Sequence, residues 1–193
     1  LFRSILDKMN IKEKKGQIPE AMQHAVACAF YGGRFEHTAV GPLEGALYSY
    51  DISSAYPYQT CFLPCLEHAH WEKTKSYDRM LRGRHACVHY KLTELGAPDI
   101  WGPFPFRMED GSIVFPAVSG GGWVWRDEWL AAEKLFRNLV FVEAWVLESD
   151  CNCPPPFAAT SEFYLERLRL GKEAAGTILK LVMNSEYGKL AQS

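Results

Sequence analysis

The spacing of apolar residues predicts a chain of mixed helices and strands. After Pro19, apolar residues recur at helical spacing, which predicts a helix that ends at a Gly-Gly pair. Residues 46–52 alternate between two faces and predict a strand, with Asp51 near its exit and Pro57 at its end. The first third of the chain therefore contains one predicted helix and one predicted strand.

Residues 58–157 are rich in proline, glycine and aromatic residues and predict a β-rich α+β insertion. Strand-like runs lie at 85–92, 112–116 and 139–148. A helix predicted over Arg126–Phe136 follows the SGGGW segment, which we interpret as a hairpin turn.

The last part of the chain is predicted to be helical. The CNCPPP segment breaks the preceding strand, and residues 161–193 predict helices with a hinge near Gly171. These patterns divide the chain into four segments, with boundaries 1–36, 37–57, 58–157 and 158–193.

The composition permits a buried core and excludes binding to nucleic acid through net charge alone. Hydrophobic residues make up 48% of the 193 residues, and the net charge is −2. Residues 1–36 carry six basic and four acidic groups, residues 37–161 carry ten and fifteen, and residues 162–193 carry five and four. Because the middle is acidic and the ends are mildly basic, we expect any contact with a polyanion to be local.

The sequence lacks the features of a membrane or secreted protein. No apolar stretch is long enough for a membrane span, and the first residues lack the apolar core of a signal peptide. The six cysteines are too irregularly spaced for a secreted disulfide framework, so we expect reduced thiols. Since the first residue is Leu1 rather than Met, we expect a fragment of a longer protein.

The segment SYDISSAYP, residues 49–57, is the most informative about chemistry. Asp51 at a strand exit offers a metal ligand, and the turn after it offers backbone amides for phosphate oxygens. Tyr56 adds a flat wall, so the segment suits a nucleoside triphosphate. The alternative is that Asp51 is merely solvated and that Tyr56 packs in a core.

Residues 167–190 predict a helix with one basic face. At about 100° per residue, this face contains Arg169, Lys172, Gly176, Lys180, Asn184 and Tyr187. The lysines can hold phosphates, the glycine leaves a gap between them, and the amide and phenol can touch a base or sugar. The alternative is a solvated helix face on which like charges align.

Cysteine and histidine residues raise a zinc alternative. The candidate ligands are Cys61, Cys65, His68, His70, His85, Cys87 and His89. Zinc accepts such ligands, but their spacing is not that of a compact zinc knuckle. Cys151 and Cys153 give a still weaker signal. A zinc-stabilised interaction domain therefore stays open as an alternative to a nucleotide-binding protein.

Taken in order, three segments resemble the family B DNA polymerases, in the viral, plasmid and organellar branch that includes protein-primed enzymes. Asp51–Pro57 resembles motif A, D-x-x-S-L-Y-P, and residues 180–188 resemble motif B, K-x-x-x-N-S-x-Y-G. Residues 30–33 resemble the family's Y-x-G-G segment. Three residues depart from these patterns: Phe30, Ala55 and Glu186.

The resemblance implies part of a polymerase palm, an antiparallel sheet with helices, followed by helical fingers. Residues 1–36 are implied as a linker and helix leading into the Y-x-G-G-like segment, and residues 37–57 as the palm strand with motif A. Residues 58–157 take the place of palm elements and of the insertion that meets the priming protein in protein-primed enzymes. Residues 158–193 are implied as the fingers helices with motif B.

The resemblance also implies a DNA-directed DNA polymerase that acts in DNA replication. It adds deoxynucleotides to a primer 3′-hydroxyl by two-metal phosphoryl transfer. Asp51 is implied as one of two metal-binding aspartates, with the Ile52 carbonyl on the same Mg²⁺ ion. Motif C, which carries the second aspartate, has no counterpart in the sequence, and the exonuclease motifs and thumb are also missing. We therefore expect the second aspartate outside this chain, and the chain alone to be inactive.

Individual roles follow from the same resemblance. Asp51, Tyr56 and Lys180 are implied as catalytic, with Tyr56 under the deoxyribose and Lys180 on the nucleotide phosphates. The implied nucleotide-binding residues are Ile52, Ser53, Ser54, Tyr56, Arg167, Lys172, Lys180, Asn184 and Tyr187. The implied DNA-binding residues are Tyr31, Gly32, Gly33, Arg34, Ser185 and Gly188. Helical spacing favours Arg169 over Arg167, so the identity of the phosphate-binding arginine stays open.

The implied partners are primer-template DNA, deoxynucleoside triphosphates and, in the protein-primed branch, a terminal priming protein. The acidic balance of the insertion leaves protein priming and nucleic-acid priming both open. The expected location is the cytoplasm of a host cell, with virus association, or an organelle. The non-catalytic alternative is a polymerase relic that binds DNA or nucleotide without chemistry.

Overall fold

The computed structural model describes residues 18–32, 41–52, 54–93, 102–115 and 120–192, with the backbone alone for residues 186–192. The described residues form two compact units. The sheet unit contains residues 18–32, 70–93, 102–115 and 120–148, and the helical unit contains residues 41–52, 54–69 and 149–192. Both helices and strands are present, so the predicted α+β class is confirmed.

Six helices and six strands lie in the described residues. The helices are α1 (Glu20–Ala29), α2 (Ala55–Thr60), α3 (Tyr77–Arg82), α4 (Arg126–Glu133), α5 (Thr160–Leu170) and α6 (Ala174–Gln192). The strands are β1 (His70–Thr74), β2 (Ala86–Leu92), β3 (Phe106–Arg107), β4 (Ile113–Val114), β5 (Gly120–Trp125) and β6 (Leu139–Glu148). The helix predicted after Pro19 is α1, and the predicted strands at 85–92 and 139–148 are confirmed as β2 and β6.

The sheet unit is built on an antiparallel sheet with the strand order β1-β6-β2-β5. Its central strands are buried on both faces because helices cover both. Val88 of β2 packs in one core cluster with Met80 of α3 and Trp129 of α4. The next residue back along β2, Cys87, points to the opposite face and packs with Met22 of α1.

The glycine-rich segment forms a strand and not the predicted hairpin turn. Its three glycines begin β5 and pair with the last residues of β2. A Cβ atom on Gly121 would lie 2.8 Å from the Tyr90 carbonyl oxygen, whereas a Cβ atom on Gly120 would meet nothing within 4 Å. Glycine is therefore needed at position 121 because two backbones approach closely, and not because the chain turns there.

The hydrophobic pattern does not predict β1 or α3, which are short and polar. Ser76 caps α3 by accepting a hydrogen bond from the Arg79 backbone N–H at 3.2 Å. The Arg79 guanidinium then pairs with Glu72 on β1 and with Glu148 on β6. These ion pairs join α3 to two strands, and apolar periodicity cannot reveal them.

The helical unit contains α2, α5 and α6. Helix α2 contacts both α5 and α6, and these two helices contact each other. Gly171 ends α5 with a φ of 67°, so the predicted hinge is confirmed at a residue for which a left-handed backbone costs little. Among the helices described, none is long and apolar enough to cross a membrane.

Residues 46–52 do not form the strand that their alternation predicts. All are exposed, and they pair with no strand in the described part of the chain. Pro57 lies in the first turn of α2, where proline is tolerated, and does not end a strand. An extended segment becomes a strand only beside a hydrogen-bonding neighbour, which alternation alone cannot reveal.

The variant Gly121→Ala tests the close backbone approach in β5. We expect it to lower the free energy of unfolding by about 1–3 kcal/mol, because the added methyl group must displace the Tyr90 carbonyl. Urea denaturation followed by tryptophan fluorescence measures this change. Gly120→Ala is the matched control, with an expected effect within about 0.5 kcal/mol. Equal losses in the two variants would contradict the role given to the backbone contact.

Candidate functional site

Ser54 connects the motif-A-like segment to helix α5. It lies at the N-cap of α2 with φ 54° and ψ 40°, and no other non-glycine residue among those described has a positive φ. Such a backbone conformation is strained for a residue with a Cβ atom and is frequent at functional sites. The Ser54 hydroxyl does not cap α2. It accepts a hydrogen bond from Arg167 Nη1 at 2.6 Å.

The two arginines of α5 have different partners. Arg167 is half-buried and donates to Ser54. Arg169 is exposed and binds the Glu166 carboxylate through two hydrogen bonds of 2.7 and 2.5 Å, which raise the pKa of Arg169 and lower that of Glu166. The structure therefore brings Arg167 to the motif-A-like turn, although helical spacing favoured Arg169.

Asp51 and Ile52 lie at the surface of the helical unit. Ile52 is 79% exposed, and Asp51 is exposed and makes no hydrogen bond or ion pair with another described residue. A carboxylate and a neighbouring carbonyl are oxygen ligands of the type that Mg²⁺ prefers. Within the described ranges, Asp51 belongs to no group of three metal-binding side chains, and Ser53 lies outside those ranges. The pair can supply part of a magnesium site.

Tyr56 projects from α2 with 54% of its surface exposed, so the alternative that it is a core aromatic is wrong. A cavity of about 520 Å³ lies between α2 and α5, and Ser54 is among its lining residues. Its walls are mainly apolar: Pro57, Tyr58, Phe62, Tyr164 and Leu165 contribute to them. The motif-A-like turn therefore borders a space that a flat organic ring can enter.

Several predicted residues of the basic helix face are exposed on or beside α6. They are Lys172, Lys180 and Asn184, and the predicted DNA-binding residue Ser185 is exposed beside them. Between them Met183 is buried and anchors α6 within the helical unit. Tyr187 and Gly188 continue the helix, and the Tyr187 side chain lies outside the described part of the chain.

The gap predicted at Gly176 is not open to a ligand. A Cβ atom on Gly176 would lie 2.0 Å from the Gly171 carbonyl oxygen, so the preceding turn fills the space. This close approach positions Lys172, whose carbonyl accepts a hydrogen bond from the Thr177 hydroxyl at 3.4 Å. The glycine thus serves the packing of α5 and α6 and not the binding of phosphate.

The described part of the Y-x-G-G-like segment lies in the sheet unit. Tyr31 is half-buried, and the Arg107 guanidinium lies 5.4 Å from the centre of its ring. Burial raises the pKa of Tyr31, and the nearby arginine partly opposes this shift. Gly32 has open space around it, while Gly33 and Arg34 lie outside the described residues.

A group of cysteine and histidine residues forms in the helical unit, with a membership that differs from the predicted one. It consists of Cys65, His68, Cys151 and Cys153, whose ligand atoms all lie within 4.8 Å of one another. Cys151 and Cys153 are the weakest of the candidates predicted from the sequence. The short spacings C-x-x-H before residue 69 and C-x-C after residue 150 are the signal that points to this group.

The other predicted zinc ligands are not in this group: Cys61, His70, His85, Cys87 and His89. His70 pairs with Glu72, and His89 stacks on Trp123 with 4.8 Å between ring centres. Burial raises the pKa of Cys87 to about 12, so this thiol stays protonated and is a poor metal ligand. The observed group therefore keeps Cys65 and His68 of the candidates in residues 61–89 and takes its other two members from the CNCPPP segment.

Two thiols of the Cys/His group, Cys151 and Cys153, have pKa values that are shifted in opposite directions. A hydrogen bond with the Ser149 hydroxyl, at 3.4 Å, lowers the pKa of the Cys151 thiol to about 6. The interaction with Cys151 in turn raises the pKa of Cys153 to about 11. The two thiols are therefore coupled, and the pair loses its first proton more readily than an isolated thiol does.

Comparison with known proteins identifies the family. The family model of the organellar and viral type B DNA polymerases matches residues 1–193. No curated protein and no solved structure matches the chain. Because the match covers the whole sequence, the chain belongs to the type B DNA polymerases of organelles and viruses.

Proposed function

We propose that this chain supplies the nucleotide-binding part of a DNA-directed DNA polymerase. The reaction adds a deoxynucleotide to a primer 3′-hydroxyl opposite a DNA template, with two Mg²⁺ ions. The observation that supports this most directly is the hydrogen bond between Arg167 and Ser54. It places a cation of α5 beside the turn that follows Asp51.

Arg167 can serve as a phosphate ligand at this turn. Its guanidinium carries several donors in a planar fork, and the bond to Ser54 uses one nitrogen, Nη1. Lys172 is exposed just before α6, and Lys180 is exposed along it. These three cations can neutralise the charge of a bound triphosphate. The chain then needs no basic surface elsewhere, which agrees with its net charge of −2.

Asp51 and the Ile52 carbonyl are the residues of this chain that would hold Mg²⁺. A bound divalent cation would stabilise the negative charge that develops on the phosphoryl group. The chain would hold the cation through the Asp51 carboxylate, which makes no hydrogen bond or ion pair with another described residue. The second metal-binding aspartate is proposed to come from outside this chain.

The remaining roles concern the sugar, the base pair and the DNA. Tyr56 is proposed to lie under the deoxyribose and to exclude a 2′-hydroxyl. Asn184 and Tyr187 are proposed to line the nascent base pair. The proposed contacts to primer-template DNA are Tyr31, Gly32, Gly33, Arg34, Ser185 and Gly188. A terminal priming protein remains a proposed partner of residues 58–157.

The variant Asp51→Ala tests the metal-binding role in the polymerase that contains this chain. We expect nucleotide addition to fall at least about 10³-fold, because a metal ligand that contributes several kcal/mol to the transition state is lost. Primer extension measures the rate, and a gel-shift assay should show DNA binding nearly unchanged. Glu44→Ala removes another exposed carboxylate of the same segment and is the control. An Asp51 variant that extends a primer at the parental rate would contradict the assignment of Asp51 as a metal ligand.

The variants Arg167→Ala and Arg169→Ala distinguish the two arginines. We expect Arg167→Ala to raise the KM for deoxynucleotides roughly 10- to 100-fold, as the loss of a charge-assisted hydrogen bond does, and Arg169→Ala to change it little. Steady-state kinetics measure both. Ser54→Ala removes the hydrogen-bond partner of Arg167 but leaves the arginine charge in place. A smaller increase of the KM in Ser54→Ala than in Arg167→Ala therefore supports a direct contact between Arg167 and phosphate. Equal increases of the KM in Ser54→Ala and Arg167→Ala would indicate that Arg167 acts only through its hydrogen bond to Ser54 and does not contact the phosphates.

The variant Tyr56→Ala tests sugar discrimination. We expect the preference for deoxynucleotides over ribonucleotides to drop by about tenfold or more, because the side chain that clashes with a 2′-hydroxyl is removed. Single-nucleotide incorporation of dNTP and rNTP measures the ratio. Tyr58→Ala removes another exposed tyrosine of α2 and should leave the ratio unchanged. An unchanged ratio in both variants would rule out the proposed role of Tyr56.

A further inference from the structure

We propose that Cys65, His68, Cys151 and Cys153 together bind one structural zinc ion. The four side chains come from two stretches of the helical unit, one after α2 and one before α5. Three sulfurs and one imidazole nitrogen are a ligand set typical of structural zinc. The proposal does not depend on the polymerase reaction, because none of the four residues is assigned a role in it.

The distances fit a tetrahedral zinc site. With Zn–S bonds of about 2.3 Å and Zn–N bonds of about 2.05 Å, the S···N edges of a tetrahedron are about 3.6 Å and the S···S edges about 3.8 Å. His68 Nδ1 lies 3.4 Å from Cys65 Sγ and 3.6 Å from Cys153 Sγ. No two of the four ligand atoms are more than 4.8 Å apart. Small side-chain adjustments therefore suffice to bind an ion.

A central cation accounts for the contacts better than separate hydrogen bonds do. Two sulfurs approach the same nitrogen of His68, which has a single lone pair and cannot accept well from both. A zinc ion between them satisfies the nitrogen and all three sulfurs at once. It also explains why Cys153, which is exposed, faces a histidine 85 positions away in the sequence.

The backbone presents the ligands in two short pieces. Cys65 is buried and is followed by a turn over residues 66–68, which brings His68 back toward it. Pro64 and Pro154 flank the two pieces and restrict their backbones. Zinc bound here joins the stretch that carries Ser54 to the stretch that carries Arg167, and a metal that closes so long a segment adds stability to the folded state.

Metal analysis of the purified full chain tests the proposal. The chain is produced in zinc-supplemented medium with a phosphine reductant and dialysed against a weak chelator. We expect about one zinc per chain by elemental mass spectrometry, and a lower melting temperature after removal by a strong chelator. Cobalt substitution should give the visible absorption of a tetrahedral Co²⁺-thiolate site.

Single substitutions locate the site. We expect Cys65→Ser, Cys151→Ser and His68→Asn each to lose most of the zinc. Cys61→Ser and His70→Asn should each retain it, because those residues are outside the group. If the ligand variants do not fold, the cobalt spectrum of the unmodified chain still decides the question. Less than a tenth of an equivalent of zinc in that chain, no tetrahedral cobalt spectrum, or full zinc content in the Cys65 and Cys151 variants would overturn the proposal.

Discussion

The helical unit is made of two stretches of chain that are far apart in the sequence, and contacts between these stretches hold it together. Ser54 and Arg167 are 113 positions apart and share a hydrogen bond of 2.6 Å. Helix α2 from the first stretch contacts α5 and α6 from the second. Closing so long a segment costs conformational entropy, so these few contacts must be favourable enough to offset it.

The contacts between these two stretches also bring together the residues of the proposed chemistry. The motif-A-like segment contributes Asp51 and Ser54, and the fingers-like helices contribute Arg167 and Lys180. Each set is incomplete alone, because a triphosphate needs both cations and a metal ligand. The Gly171 carbonyl lies against Gly176, and this close approach fixes the turn between α5 and α6 that contains Lys172. The Cys/His group joins the same two stretches and would reinforce the same closure.

In the sheet unit, the two central strands are predicted correctly from the sequence, whereas β5, β1 and α3 are not. Strands β2 and β6 lie in the middle of the sheet, and each contains several consecutive apolar residues that predict a strand. The glycines of β5 were misinterpreted because glycine serves turns and close backbone contacts equally well. Only the position of the Tyr90 carbonyl tells the two uses apart. Likewise β1 is held by its pairing with β6 and α3 by the buried Met80, and the ion pairs of Arg79 join the two elements, none of which gives a periodic apolar signal.

Local patterns in the sequence are sufficient to predict the α+β class, the main helices and strands, the hinge at Gly171 and, through the motifs, the polymerase family. These follow from local patterns: apolar periodicity, glycine and proline placement, and residues close together in the chain. Three features depend on the tertiary structure. Arg167 and not Arg169 contacts Ser54, and residues 46–52 have no strand partner in the described chain. Cys65 and His68 lie beside Cys151 and Cys153. Each of these depends on which distant residues come into contact, and helical spacing or local motif spacing carries no information about that.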